Sequence, residues 1–238
     1  PSAKQFLNLA ENQNWEHPPL GKLIMAAGIG LWGDIPIGWR YMSTIFGSLT
    51  LIGMYFWALA LFRRQSVALW VALLTSVNQL LYVQSRIGML DTFMFGFLTW
   101  GLAAFTWSWN PKLGAERTRR AIRAAGILFG LAAACKWFAI IPWLACIALV
   151  VAVRMMQSWG VRFANEQTNS DFYEPNLWHG LRWQEWLRYL LLYPLLAYSV
   201  TFIPYFIIQK PKVGFWDLFL MQKKMYDGQL RVVTAHPY

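Results

Sequence analysis

Long apolar stretches separated by short polar ones form the main pattern along this chain. Residues 41–62 carry no charged side chain and end at Arg63 and Arg64, after which residues 67–83 are again largely apolar. A helix that crosses a bilayer needs about 20 apolar residues. The pattern therefore predicts two spanning helices joined by a tight turn at the two arginines.

Further apolar stretches extend this helical pattern. Residues 87–109, with Asp91 near the start, and residues 189–208 each predict one span. Residues 122–153 are too long for one ordinary helix and are interrupted by Lys136 and a following proline, which predicts a helical hairpin with Lys136 at its tip. A single crossing here is the alternative, and it would move the end of the chain to the other face.

The composition supports a membrane protein. Apolar residues make up 57% of the 238 residues and charged residues 13%, against about 25% charged in a soluble domain. The net charge is +10, but the basic residues stand singly between apolar runs instead of forming a basic surface, which argues against a nucleic-acid partner. The two cysteines, Cys135 and Cys146, lie in apolar sequence and are interpreted as buried thiols, with a disulfide between them as the alternative. No metal-ligand cluster is visible, and the chain is interpreted as an internal piece of a longer protein.

Counting crossings places the cations on two faces. Short loops rich in Lys and Arg mark the cytoplasmic face, and the residues assigned to it are Arg63, Arg64, Lys112, Arg117, Arg119, Arg120, Arg154 and Arg162. The other face nevertheless keeps Arg40, Arg86 and Lys136 beside apolar helices. An anionic ligand at the membrane boundary would offset the cost of placing them there. Snorkelling anchors, or an ion pair with Asp91, are the alternative explanation for each residue alone.

Residues 154–188 combine mixed charges with aromatic residues. This composition predicts a cytoplasmic or interfacial loop with an amphipathic helix, and membrane anchoring suffices to explain its aromatic residues, which are Trp159, Phe163, Trp178, Trp183 and Trp186.

Five short motifs follow one another along the chain. They are EHPPLGK at residues 16–22, GWR at 38–40, QSRIGMLD at 84–91, GLAAACKW at 130–137, and MYDG at 225–228 with Leu230 and TAHPY at 234–238. In this order they resemble motifs of the protein O-mannosyltransferases, glycosyltransferase family 39, whose last motif is a loop. Asp227 stands where that family often has a histidine.

The resemblance implies an all-α polytopic membrane protein of the GT-C type. Residues 1–238 would be part of one transmembrane domain, lacking the first span and an Asp-Glu pair upstream of Pro1 and the last spans downstream. Such proteins transfer mannose with inversion from a polyprenyl (dolichyl) phosphate to Ser or Thr hydroxyls of polypeptides. The expected location is the plasma membrane, or the endoplasmic reticulum in a eukaryote, with an extracytoplasmic site. Pairing into a dimer and use of a divalent cation stay open.

The same resemblance suggests roles for single residues. Arg40, Arg86 and Lys136 would bind the donor phosphate as negative charge accumulates on it. The general base would come from the upstream acidic pair. Asp91 is expected to pair with an arginine and orient it, with a catalytic role as the alternative.

Four further residues are expected in or near the site. Glu16 is expected to neighbour the site, and His17 and His236 could bind phosphate or acceptor peptide. The alternative for His236 is a hydrogen bond that fixes its loop. Lys22 could act in the site or only anchor its helix.

Two other functions compete with this one. The first is a relative that transfers a sugar from a prenyl phosphate to lipid A, against which the HPPLGK and HPY strings argue. The second is an anion transporter or channel, for which internal repeats and polar residues through the helices would be expected.

Overall fold

The structure, a computed structural model, describes residues 2–8, 16–110, 112–158, 178, 181–208 and 214–235. Every regular element in these ranges is helical. The α-helices are α1 (Ser2–Leu7), α2 (Leu20–Trp32), α3 (Pro36–Phe62), α4 (Gln65–Ser76), α5 (Gln79–Ile87), α6 (Leu90–Trp107), α7 (Ala115–Cys135), α8 (Ile140–Ser158), α9 (Trp183–Leu187), α10 (Tyr193–Val200), α11 (Ile203–Ile208) and α12 (Phe215–Ala235). A 3₁₀ turn, Trp137–Ala139, precedes α8, and a π-helical turn, Arg188–Leu192, precedes α10.

Helix α6 forms the centre of the bundle and packs against α3 on one side and α7 on the other. Its buried residues Phe93 and Phe105 contribute to the main core, together with Phe129 of α7. Small residues allow the close approach to α3: a side chain at Gly96 would collide with Phe46, and one at Gly53 would collide with Thr99.

Helix α10 and the π-helical turn before it pack on α7 at Gly126 and Gly130, two positions without a side chain. A Cβ atom at Gly126 or Gly130 would overlap the carbonyl oxygen of Tyr189 or Pro194. Pro194 has no N–H to donate to the carbonyl of Leu190 four residues earlier. The indole of Trp143 in α8 donates to that carbonyl instead, over 2.9 Å.

Two of the described helices can cross a membrane by length and composition, Pro36–Phe62 and Trp137–Ser158, and a bent pair forms a third if it is one span. The turn between α3 and α4 at Arg63 and Arg64 is confirmed, with Arg63 in the left-handed region at φ 54°. Residues 67–83, predicted as one span, lie in two helices that together are long and apolar enough for a broken span. The chain bends there by 60° between Gln65–Ser76 and Gln79–Ile87.

Asn78 explains this bend. Its side-chain oxygen accepts a hydrogen bond from the backbone N–H of Leu81 over 3.0 Å, so it caps α5 and starts a new helix inside an apolar run.

We expect Asn78→Ala to lower the free energy of unfolding by about 1 kcal/mol, because the cap leaves with the side chain. Chemical unfolding of the full-length protein in detergent measures this loss. Ser48→Ala is the control, since Ser48 donates only to the carbonyl of Thr44 within its own helix. An equal change in both variants would contradict the capping role.

Two other predicted spans also differ from expectation. Helix α6 and residues 189–208 are not among the described helices that can cross a membrane by length and composition. Helix α6 has 18 residues, carries Asp91 in its first turn and buries threonines. Residues 189–208 are divided by a turn at Thr201 and Phe202 between α10 and α11.

The predicted break of residues 122–153 at Lys136 is confirmed. Lys136 is extended, at φ −157° and ψ 133°, and ends α7. The proline, Pro142, lies in the first turn of α8, where its missing N–H costs no helical hydrogen bond. The two helices diverge instead of packing as a closed hairpin: α7 lies on α6 and α10, whereas Arg154 of α8 donates to the carbonyl of Leu181 over 2.6 Å.

Part of the predicted interfacial loop belongs to the core. Trp178 and Trp186 are buried, with ring centroids 4.9 Å apart, and the indole of Trp178 donates to the hydroxyl of Ser108 over 3.0 Å. Trp183 is exposed. Trp159, Phe163 and Arg162 lie outside the described residues. Cys135 and Cys146 are free and buried, as predicted.

Candidate functional site

The residues 16–19 form a bend that leads directly into α2. Pro18 and Pro19 are fully buried, and Pro19 is the residue before the first turn of α2. This bend folds back on the helix, because the Lys22 amine donates to the carbonyl of His17 over 2.8 Å. Lys22 is only 4% exposed, so its amine is directed into the protein and does not snorkel to the surface.

An ion pair joins the ends of two central helices. The Lys136 amine lies 2.7 Å from a carboxylate oxygen of Asp91, in the first turn of α6. The prediction that Asp91 pairs with an arginine is therefore wrong. Gly88, at φ 72°, turns the chain between α5 and α6, and the nearest arginine in sequence, Arg86, is directed at Tyr82 of its own helix.

These two groups of residues share one electrostatic environment. Burial lowers the pKa of His17, and the charges of Lys136 and then Lys22 lower it further, while Glu16 and Asp91 act in the opposite direction. Burial also lowers the pKa of Lys22 to about 8, against the opposing charge of Glu16. The structure therefore brings together five of the predicted site residues, Glu16, His17, Lys22, Asp91 and Lys136.

Arg40 and Arg86 lie at the same end of the bundle but on its surface. Arg86 donates to the hydroxyl of Tyr82 over 2.8 Å, and its guanidinium carbon stands 5.1 Å from that ring's centroid. One turn after Arg40, the Thr44 hydroxyl contacts the carbonyl oxygens of Arg40 and Ser85, at 3.1 and 3.3 Å. The two arginines therefore stand on adjacent helices at a similar level.

A cleft of about 530 Å³ extends from Lys22 to the neighbours of the two arginines. Trp39 and Ile87, each adjacent in sequence to one of the arginines, are among the residues that line it. Asp34 lies at its rim, where it pairs with Lys4 and accepts a hydrogen bond from the Trp39 indole over 3.1 Å. Sequence reasoning missed Lys4 and Asp34, because their ion pair depends on α1 packing against α2. Trp39 was named only as part of the GWR motif.

The motif near the end of the chain also reaches the site. The Gln229 amide donates to the carbonyl of Glu16 over 2.9 Å, and Gly228 stands against the Glu16 side chain. This motif was expected as a loop, but residues 225–230 are part of α12. His236 lies outside the described residues. Among the residues that are described, no three His, Cys, Asp or Glu side chains are grouped so that they could hold a metal ion.

A helical membrane bundle with acids and cations gathered at one end fits the GT-C glycosyltransferase class that the motif resemblance implies. Residues 36–219 match the sequence profile of the family described as dolichyl-phosphate-mannose-protein mannosyltransferase, and the chain belongs to that family. The resemblance drawn from the five motifs is thereby confirmed.

Curated relatives are polyprenol-phosphate-mannose-protein mannosyltransferases from actinobacteria. The chain is 32% identical over 142 residues to that of Corynebacterium glutamicum, which covers 51% of this chain and 27% of the relative. It is 28% identical over 142 residues to that of Mycolicibacterium smegmatis, with the same coverage, and 26% identical over 168 residues to that of Mycobacterium tuberculosis, covering 58% and 31%. The matched part therefore spans about a quarter to a third of these relatives' length. No solved structure gives a significant match.

Proposed function

We propose that the whole protein transfers mannose from a polyprenyl phosphate to Ser or Thr hydroxyls of polypeptides. Family membership and the names of the relatives support this substrate pair. The observation that carries the proposal is the Lys136–Asp91 ion pair beside His17 and Lys22, because Asp91 holds the Lys136 amine in a fixed position next to the bend at residues 16–19, where it could meet a phosphate.

The reaction explains why cations are needed there. The acceptor oxygen attacks C1 of mannose from the face opposite the phosphate, and the bond from C1 to the phosphate oxygen breaks with inversion. The phosphate leaves with the electron pair of that bond and gains negative charge, which nearby cations stabilise most strongly in the transition state. In this proposal Arg40, Arg86 and Lys136 bind the phosphate.

A carboxylate must accept the hydroxyl proton as the attack proceeds. We assign this role to the acidic pair expected upstream of Pro1. Within the chain, Asp91 holds the Lys136 amine in place, and Glu16 lies beside the site, where Gln229 fixes its backbone. His17 and Lys22 contribute to acceptor or phosphate binding, and use of a divalent cation would depend on acids other than the described ones.

The two alternatives are not favoured. The family match is to protein-modifying enzymes, which argues against a lipid A acceptor. The predicted site cations lie at one end of the described bundle, whereas an anion pathway needs polar groups through the depth of the membrane.

The proposed location is the plasma membrane, or the endoplasmic reticulum in a eukaryote, with the site on the extracytoplasmic face. The distribution of cations supports this orientation, because Arg63, Arg119 and Arg154 contact partners at the opposite end of the bundle. Pairing with a second copy or a paralogue stays a prediction.

We expect Arg40→Ala and Arg86→Ala in the full-length protein to reduce transfer roughly tenfold to a hundredfold, since each removes a cation from the phosphate site. The assay uses purified protein, polyprenyl-phosphate mannose and a Thr-containing peptide. Arg64→Ala is the matched control, because Arg64 is an exposed arginine at the other end of α3. Unchanged turnover in both site variants, or transfer to a lipid acceptor only, would contradict the proposal.

A further inference from the structure

Helix α12 carries apolar side chains on two opposite faces. Met221 and Met225 are buried in a second core cluster with residues of α1, α2 and Phe202. The other face is exposed: Phe219 is 74%, Leu220 53% and Tyr226 57% exposed. At about 100° per residue, these three fall within a sector of about 120° on the side opposite the methionines.

This helix does not have the composition of a membrane span. Its charged residues within the described side chains are Asp217, Lys223, Lys224 and Asp227. It is not among the described helices that, like Pro36–Phe62, can cross a membrane by length and composition. A helix with a strong apolar face and several charges, in a membrane protein, is typical of the bilayer surface.

Hydrogen bonds fix where this helix lies. Gln229 binds the backbone of Glu16, which places the last turns of α12 at the site end of the bundle. Gln222 accepts a hydrogen bond from the hydroxyl of Tyr198 over 2.5 Å, which places the middle of α12 beside α10. Helices α10 and α11 expose a row of apolar side chains suited to lipid, namely Leu195, Leu196, Val200, Ile203 and Ile207.

We propose that α12 is a membrane-surface helix whose outward face, Phe219, Leu220 and Tyr226, is inserted among the phospholipid headgroups. The lipid contact of α10 and α11 then continues onto α12 at the site end. Aromatic residues favour this level of the bilayer. Lys223 and Asp227 are exposed on the same side, as expected among headgroups and not in the hydrocarbon, and Lys223 is placed to meet lipid phosphates. Through Gln229, lipid contact would hold the bend at residues 16–19 at the membrane surface.

Photo-crosslinking tests this directly in membranes that contain the full-length protein. Phe219 is replaced by the photoreactive amino acid p-benzoyl-phenylalanine, the membranes are irradiated, and adducts are identified by mass spectrometry. The same replacement at Leu74, which is exposed on α4, gives the lipid-adduct yield of a lipid-facing position. The same replacement at Lys112, which is exposed in the loop before α7, gives the lipid-adduct yield of a position in water. We expect phospholipid adducts at Phe219 close to the Leu74 yield and well above the Lys112 yield.

Two results would overturn the proposal: adducts at Phe219 to a second copy or to another protein in place of lipid, and a phospholipid yield no higher than at Lys112. The same replacement at Tyr226 provides an independent reading on the same face. This measurement needs no sugar transfer, so its outcome is separate from that of the proposed enzymatic function.

Discussion

Lys136→Met in the full-length protein is expected to reduce mannosyl transfer roughly a thousandfold, the largest effect among single substitutions of the described site. Of the three proposed phosphate-binding cations, Lys136 is the one whose charge lowers the pKa of His17 in the bend at residues 16–19. Its side chain is 31% exposed, so solvent screens it less than it would a surface lysine. The measurement is the single-turnover rate with polyprenyl-phosphate mannose and a Thr-containing peptide.

Asp91→Asn separates charge from packing at the same ion pair. Asparagine has nearly the same shape as aspartate, but it leaves the Lys136 amine with a neutral partner at a site where the carboxylate is 17% exposed. We expect a loss of about 1–3 kcal/mol in the free energy of unfolding and roughly a hundredfold lower transfer, because the amine is no longer held in place.

A double exchange tests whether the pair has only a structural role. Asp91→Lys combined with Lys136→Asp keeps an ion pair between α6 and α7, so stability should recover relative to either single variant. Transfer should not recover, because the cation then stands on the other helix. Recovery of transfer together with stability would show that Lys136 only joins the two helices and does not act on the donor.

Local signals in the sequence predicted those parts of the fold that neighbouring residues decide. The two arginines at residues 63–64 end one apolar run and begin another, and Lys136 interrupts a run too long for a single helix, so both breaks could be found. The bend at Asn78 could not, because a single asparagine in an apolar run either faces a polar partner or caps a new helix, and its surroundings decide which.

In the candidate site, too, local signals were predictable and long-range contacts were not. The motifs indicated which side chains gather at one end, and five of them do. An ion pair with Asp91 was the alternative explanation for Arg40, Arg86 and Lys136 alike. The sequence could not decide among the three, because Lys136 stands 45 residues away and reaches Asp91 only when α6 packs on α7. Helix α12 was missed for a similar reason: its burial depends on Met221 and Met225 meeting α1 and α2 across most of the chain.

The second large effect is expected on stability, at the contact between α7 and α10. Gly126→Ala combined with Gly130→Ala should lower the free energy of unfolding by about 2–6 kcal/mol, which is a large share of a typical total of about 5–15 kcal/mol. Each new methyl group would overlap a backbone carbonyl oxygen, of Tyr189 or Pro194, and backbone cannot rotate away as a side chain can. Thermal unfolding of the full-length protein, followed by size-exclusion chromatography in detergent, measures the loss.

Gly30→Ala is the matched control, because it also places a methyl group inside a helix. A Cβ atom at Gly30 meets only Leu7, at 3.7 Å, an ordinary contact. Alanine also favours helix over glycine by about 1 kcal/mol, so this variant should be as stable as the parent or slightly more so. If the Gly126 and Gly130 variant matched the control, α10 would not pack against α7 through these glycines, and the π-helical turn at Arg188–Leu192 would lose its packing role.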